Sequence, residues 1–146
     1  MTNITLKESL KLAEESINKA IENKFKPISV VVLDNRGSMR VCLNQDGTTI
    51  NRHKIAHGKA NAALLWGTGT RAIAERAEKQ SYFINSVSTL MNGDFIPVAG
   101  GIIIKDLNGN ILGSVGISGD ISDNDEIAGL AGISSIGKIA DTGNKN

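Results

Sequence analysis

Three sets of residues in this 146-residue chain have types and spacings that could do chemistry: Lys59, the acidic neighbours Asp125 and Glu126, and the pair His53 and His57. Lys59 stands four residues from both Ile55 and Ala63, so on a helix it lies on or beside an apolar stripe and its amine is partly enclosed. A lysine so placed commonly snorkels from the edge of a core. Its functional use would be as a cation holding a carboxylate, or as a base or nucleophile once its pKa falls. With Asp125 or Glu126 it would move protons in a lyase or isomerase acting on a small carboxylic acid, provided the fold brings the groups within about 3 Å. The histidines, spaced H-x-x-x-H on the other side of the same helix, could share one metal ion. No third ligand accompanies them, and Lys54 stands where a zinc protease has its glutamate, so a solvated helix face is the ordinary expectation.

Gly100-Gly101 interrupts an apolar run, which marks a bulge or a close approach by a ligand or another backbone. The start of the last helix has free amides that could take an anion, but Asp123, Asp125 and Glu126 crowd the same turn with negative charge and argue against phosphate. Hydroxyl or amine recognition, a metal-assisted acid, or plain capping suits it better, and capping is the commonest case. Cys42 lies alone in a strand as a small hydrophobe and forms no internal disulfide. Walker, nucleophile-elbow and C-x-x-C patterns are missing, which removes the usual support for nucleotide, esterase and thiol-redox readings.

These groups need elements to position them. Asp34-Asn35-Arg36-Gly37 and Asp106-Leu107-Asn108-Gly109 each stand between apolar runs, with Asp opening a turn and Gly where φ turns positive. Two D-x-x-G hairpins therefore supply at least four antiparallel strands, near 28–33, 39–43, 101–104 and 111–117. Helical periodicity covers 7–22, with Thr5 as cap, and 51–65, dented by Gly58. A short helix begins at Thr70, and 82–90 reads equally as helix or irregular chain. Ser122 caps a last helix with Asp125 as its partner, and Gly129 and Gly132 within it call for close packing on a strand or a second subunit.

The length fits one domain, 1–146, with one core. Sixteen Lys and Arg against fifteen Asp and Glu give a net charge of +1, so no basic field argues for nucleic acid, and the few aromatic residues offer no stacking platform. The opening residues show no secretion signal or membrane span, which makes the cytoplasm the expected location.

The order of these motifs resembles the GlcG/HbpS family, small proteins often encoded beside catabolic enzymes, some of which bind haem. ITLKESLKLAEESINKA resembles the family's opening helix, ISVVVLDNRGSMRVCLNQDG its first hairpin and loop, and IAHGKANAAL its I-A-x-x-K-A-x-x-A helix. PVAGGIIIKDLNGNILGSVGISGDISDNDEIA resembles its second hairpin and acidic helix start. The resemblance implies an α+β, profilin-like fold with a five-stranded antiparallel sheet flanked by helices, assembled as a homo-oligomer. Lys59, Gly100, Gly101, Gly116, Ser118, Gly119, Asp125 and Glu126 match the recurring pattern. Among these, Lys59, Gly100, Gly101 and Ser118 are implied to bind a small-molecule ligand, with Lys59 pairing to its acidic group. Haem-binding members rely on a histidine, and this chain offers only His53 and His57. The implied function is an accessory protein of catabolism holding a metabolite or haem, set against the lyase or isomerase above and against a purely structural assembly subunit.

Overall fold

The Ser-Val-Val-Val-Leu-Asp run at 29–34 is buried at every position, so helices must cover both faces of the strand it forms. In this computed structural model, which describes residues 2–145, that strand is β1 (Ser29–Asp34), second in an antiparallel sheet of order β2-β1-β4-β3-β5. β2 (Met39–Asn44), β3 (Gly101–Lys105), β4 (Ile111–Ser118) and β5 (Ile139–Asp141) complete it. Helix α1 (Leu6–Glu22) and α5 (Ser122–Ser135) pack together on one face, with Leu12, Val30, Val32, Ile102, Ile117 and Ala128 in a shared core. Helix α2 (Arg52–Trp66) covers the other face through Ala56 and Ala60 against Val31 and Leu33. Helices α3 (Thr70–Lys79) and α4 (Ser81–Leu90) follow it, with Ala62, Ile73, Ile84 and Phe95 in a satellite core. The expected α+β sheet flanked by helices is therefore the observed one.

Both D-x-x-G turns form. The Gly37 amide donates to the Asp34 carbonyl at 3.0 Å and the Gly109 amide to that of Asp106 at 3.1 Å, with φ of +85° and +86° at the glycines. Asp34 is itself a fastener: its Oδ1 accepts the Arg36 and Ser38 amides at 3.0 Å each, and Arg40 Nε stands 3.4 Å from Oδ2. Burial alone would raise the Asp34 carboxyl, but these amides and Arg40 hold it below the usual carboxylate range. A depressed carboxyl stabilises the fold above its unfolded pKa of about 3.9, and that contribution is lost as pH falls through the native value. Asp34→Asn is accordingly expected to cost about 1 kcal/mol at neutral pH, with the difference from wild type closing below pH ~4 in urea titrations.

Thr5 caps α1 as expected, in a full capping box: the Glu8 amide donates to Thr5 Oγ1 at 3.1 Å and the Thr5 amide to Glu8 Oε1 at 3.0 Å. The last helix differs from expectation. Ser122 is its first helical residue, Ile121 takes the cap position, and the Ile121 amide donates to Asp120 Oδ1 at 2.7 Å. Asp125 is drawn instead to the Asp120 amide and to Lys59. Residues 81–90, ambiguous in sequence, are helical, and β5 is a three-residue edge strand too short to leave a pattern. Gly129 lies against Ile102 and Ile117 of the sheet, and Gly132 against Leu12 and Ser16 of α1, so close packing within the chain accounts for both.

Ser16 is fully buried in the α1–α5 contact and its hydroxyl has no hydrogen-bond partner among the described residues. An unmet buried hydroxyl is costly, and Ala is the better helix former. Ser16→Ala is expected to raise stability by up to about 1 kcal/mol, read as a higher denaturation midpoint with an unchanged m-value.

Candidate functional site

Helix α2 carries chemistry on two sides. On its sheet-facing side Lys59 is 2% exposed, and its Nζ donates to the Ile117 carbonyl at 2.8 Å and to Asp125 Oδ2 at 3.1 Å. Asp125 is 1% exposed, and its Oδ1 accepts the Asp120 amide at 3.0 Å. Burial lowers the Lys59 pKa against the opposing pull of Asp125; it raises that of Asp125 against Lys59 and the Asp120 amide. The separation satisfies the reach for proton transfer, but both groups are closed off from solvent, so the pair joins the middle of α2 to the end of β4 and the first turn of α5.

Gly100 makes room for this junction. Its φ is +118°, and a Cβ there would lie 2.9 Å from Lys59 Nζ and 2.9 Å from the Ile117 carbonyl. The Gly101 amide donates to Thr70 Oγ1 at 2.8 Å, tying β3 to the start of α3. Ser118 is buried at the end of β4. Glu126 is taken up by Arg71: Nε stands 3.0 Å from its Oε2, while Arg71 Nη2 donates to Asp123 Oδ1 at 2.7 Å. Hydrogen bonds to Glu126 and then to Asp123 raise the Arg71 pKa further. Thus Lys59, Asp125 and Gly100 come together, Gly101 and Ser118 flank them, and Glu126 belongs to a separate ion pair with a residue the sequence did not single out.

A different side of α2 borders an open pocket of about 390 Å³ lined by His53, Lys54 and His57, by Val31 and Met39 of the sheet, and by the Asn92-Gly93-Asp94 turn. That volume falls within the range of small-molecule sites. His57 Nδ1 stands 2.9 Å from Asp94 Oδ1, and a neutral imidazole that donates from Nδ1 to that oxygen carries no proton on Nε2. Asp94 escaped the sequence reading because it lies 37 positions from His57 in a loop. The H-x-x-x-H spacing was the one available signal. Among the described residues no three His, Cys, Asp or Glu side chains gather as a metal-ion site. Cys42 is half-buried in β2, and burial raises its thiol pKa, which leaves it a poor nucleophile. No described helix is long and apolar enough to cross a membrane.

Comparison with known proteins agrees with this architecture. Residues 4–134 match the family described as haem degrading protein HbpS-like. A curated 15.0 kDa protein from the dhaT-dhaS intergenic region of Citrobacter freundii is 27% identical over 127 residues, covering 87% of each chain. The crystal structure of HbpS superposes with a TM-score of 0.78 at 26% identity, covering 92% of this chain and 91% of that one. The haem complex of PduOC gives 0.84 at 18% identity over 94% and 98% of the two chains, and Klebsiella pneumoniae ORFY gives 0.84 at 22% over 94% and 92%; both likenesses are of fold. With residues 4–134 of its 146 matching that family, the chain belongs to the HbpS-like family.

Proposed function

We propose that the protein is a small-molecule-binding accessory protein of a catabolic pathway, that its ligand site is the His57 pocket, and that haem is the occupant. The observation that carries this reading is the Asp94–His57 hydrogen bond beside the pocket. Haem iron is held in proteins by His, Cys, Met or Tyr, and a ligating histidine typically donates its second ring N–H to a carboxylate or carbonyl. His57 suits both conditions in the tautomer that donates Nδ1–H to Asp94, which keeps Nε2 for a metal. Val31 and Met39 provide apolar lining, and Lys54 a cation for an acidic substituent. When bound, haem would supply the redox and oxygen chemistry of its iron; the chain's part is to orient one imidazole and shield one face.

Lys59 and Asp125 then act as an internal brace rather than as ligand contacts, with Gly100, Gly101 and Ser118 shaping the same junction. Self-association is part of the reading, and Tyr82 and Leu90 of α4, 70% and 73% exposed, are among the side chains it would cover. Light scattering of the purified protein tests it.

Haem titration followed by absorption tests the ligand. A saturable Soret shift at one haem per chain, kept in His53→Ala, is expected. A titration with no saturable shift would remove haem from the pocket.

A further inference from the structure

Asp94 can orient the His57 ring and favour its Nδ1–H tautomer only while it is held against Nδ1, yet Asp94 stands on a turn and its side chain is 40% exposed. Something must fix that turn, and α2 itself does so at two points. Asn61 follows His57 by four residues, on the same helix face, and its Nδ2 donates to the Asp94 carbonyl at 2.8 Å. The Ile96 amide donates to the Gly58 carbonyl at 3.2 Å. Gly58 permits that approach, because a Cβ there would lie 2.5 Å from Ile96 Cγ1. Upstream, Asn92 and Gly93 adopt φ of +56° and +81°, so the chain turns down onto α2 just before Asp94.

One helix face thus grips Asp94 twice, by side chain to carboxylate and by side chain to main chain. The two grips differ in consequence. The Asn61 bond sets where the Asp94 backbone lies; the carboxylate then selects the His57 tautomer. We infer that Asn61 is a positioning residue for the His57 imidazole, acting through the Asp94 main chain. This inference rests on the His57 pocket being the ligand site. It goes beyond that reading in assigning a residue whose own hydrogen bond is directed to the loop.

The test is the imidazole ¹⁵N spectrum of His57 in the haem-free protein, at a pH where the ring is neutral, for wild type, Asn61→Leu and Asn61→Ala. Wild type is expected to hold one tautomer, Nδ1 protonated and Nε2 bare. Both variants are expected to show averaging toward mixed tautomers while keeping native backbone spectra, and to raise the haem Kd by about tenfold, the lower end for loss of an outer-shell partner. Two substitutions are used so that a folding failure in one leaves the other readable. Retention of the single tautomer in a folded Asn61 variant would overturn the inference, whatever haem does. Loss of the tautomer preference in a protein whose wild type binds no haem would sustain the clamp and overturn the haem assignment instead.

Discussion

Replacing Lys59 with Met is expected to destabilise the protein by about 3–5 kcal/mol at neutral pH, the usual cost of leaving one partner of a buried ion pair uncompensated. The amine is 2% exposed and engages Asp125 and the Ile117 carbonyl; Met matches its stem but satisfies neither oxygen. The loss has a pH signature. Burial already raises the Asp125 carboxyl, and without Lys59 nothing cationic opposes that shift. A carboxyl with a raised native pKa takes up a proton in the folded state first, so lowering the pH from neutral toward the unfolded carboxyl value of about 3.9 is expected to narrow the gap between Lys59→Met and wild type. Adding Asp125→Asn removes the orphaned charge while keeping an acceptor for the Asp120 amide, and is expected to recover much of the loss. Urea denaturation of the single and double variants measures this. A Lys59→Met variant within about 1 kcal/mol of wild type would mean that the amine is solvated in solution.

The second large effect is on binding. His57→Ala is expected to raise the haem Kd by more than about 100-fold, since loss of the outer carboxylate alone, in Asp94→Asn, accounts for about 10–100-fold. The same difference is readable as stability. Haem at 100 times its Kd stabilises the wild type by about 2.7 kcal/mol, and the same haem concentration is expected to leave less than about 0.4 kcal/mol of this in His57→Ala. His53→Ala is expected to keep most of the wild-type increment, because the carboxylate lining the pocket, Asp94, is bonded to His57. Equal loss in both histidine variants would point to the pocket's shape rather than to one imidazole.

The legible and illegible parts of this protein divide along physical lines. The two D-x-x-G turns, the Thr5 cap and the helical spacing of Ile55, Lys59 and Ala63 are local patterns, and each appears in the structure where local chemistry put it. Lys59 was singled out for lying beside an apolar stripe, and its partner Asp125 for lying in an acidic turn. Their contact is set by how α2 and α5 pack around the end of β4, which no spacing encodes. The same holds for Arg71 with Glu126, and for His57 with Asp94. The cap of α5 was misread because Ser122 and Asp125 have the right types at the right spacing, while a tertiary demand, the buried lysine, claims Asp125 instead. Gly100 carried a real signal, a glycine required by the backbone, but what approaches it is a lysine of the same chain.

The central claim is that a single imidazole, His57, presents its free nitrogen to haem. The most direct measurement is the absorption spectrum of haem-loaded His57→Ala, with and without added imidazole, beside that of the wild type. The account predicts a displaced Soret band in the variant that free imidazole returns to the wild-type position. A variant whose spectrum already matches the wild type without imidazole would contradict it.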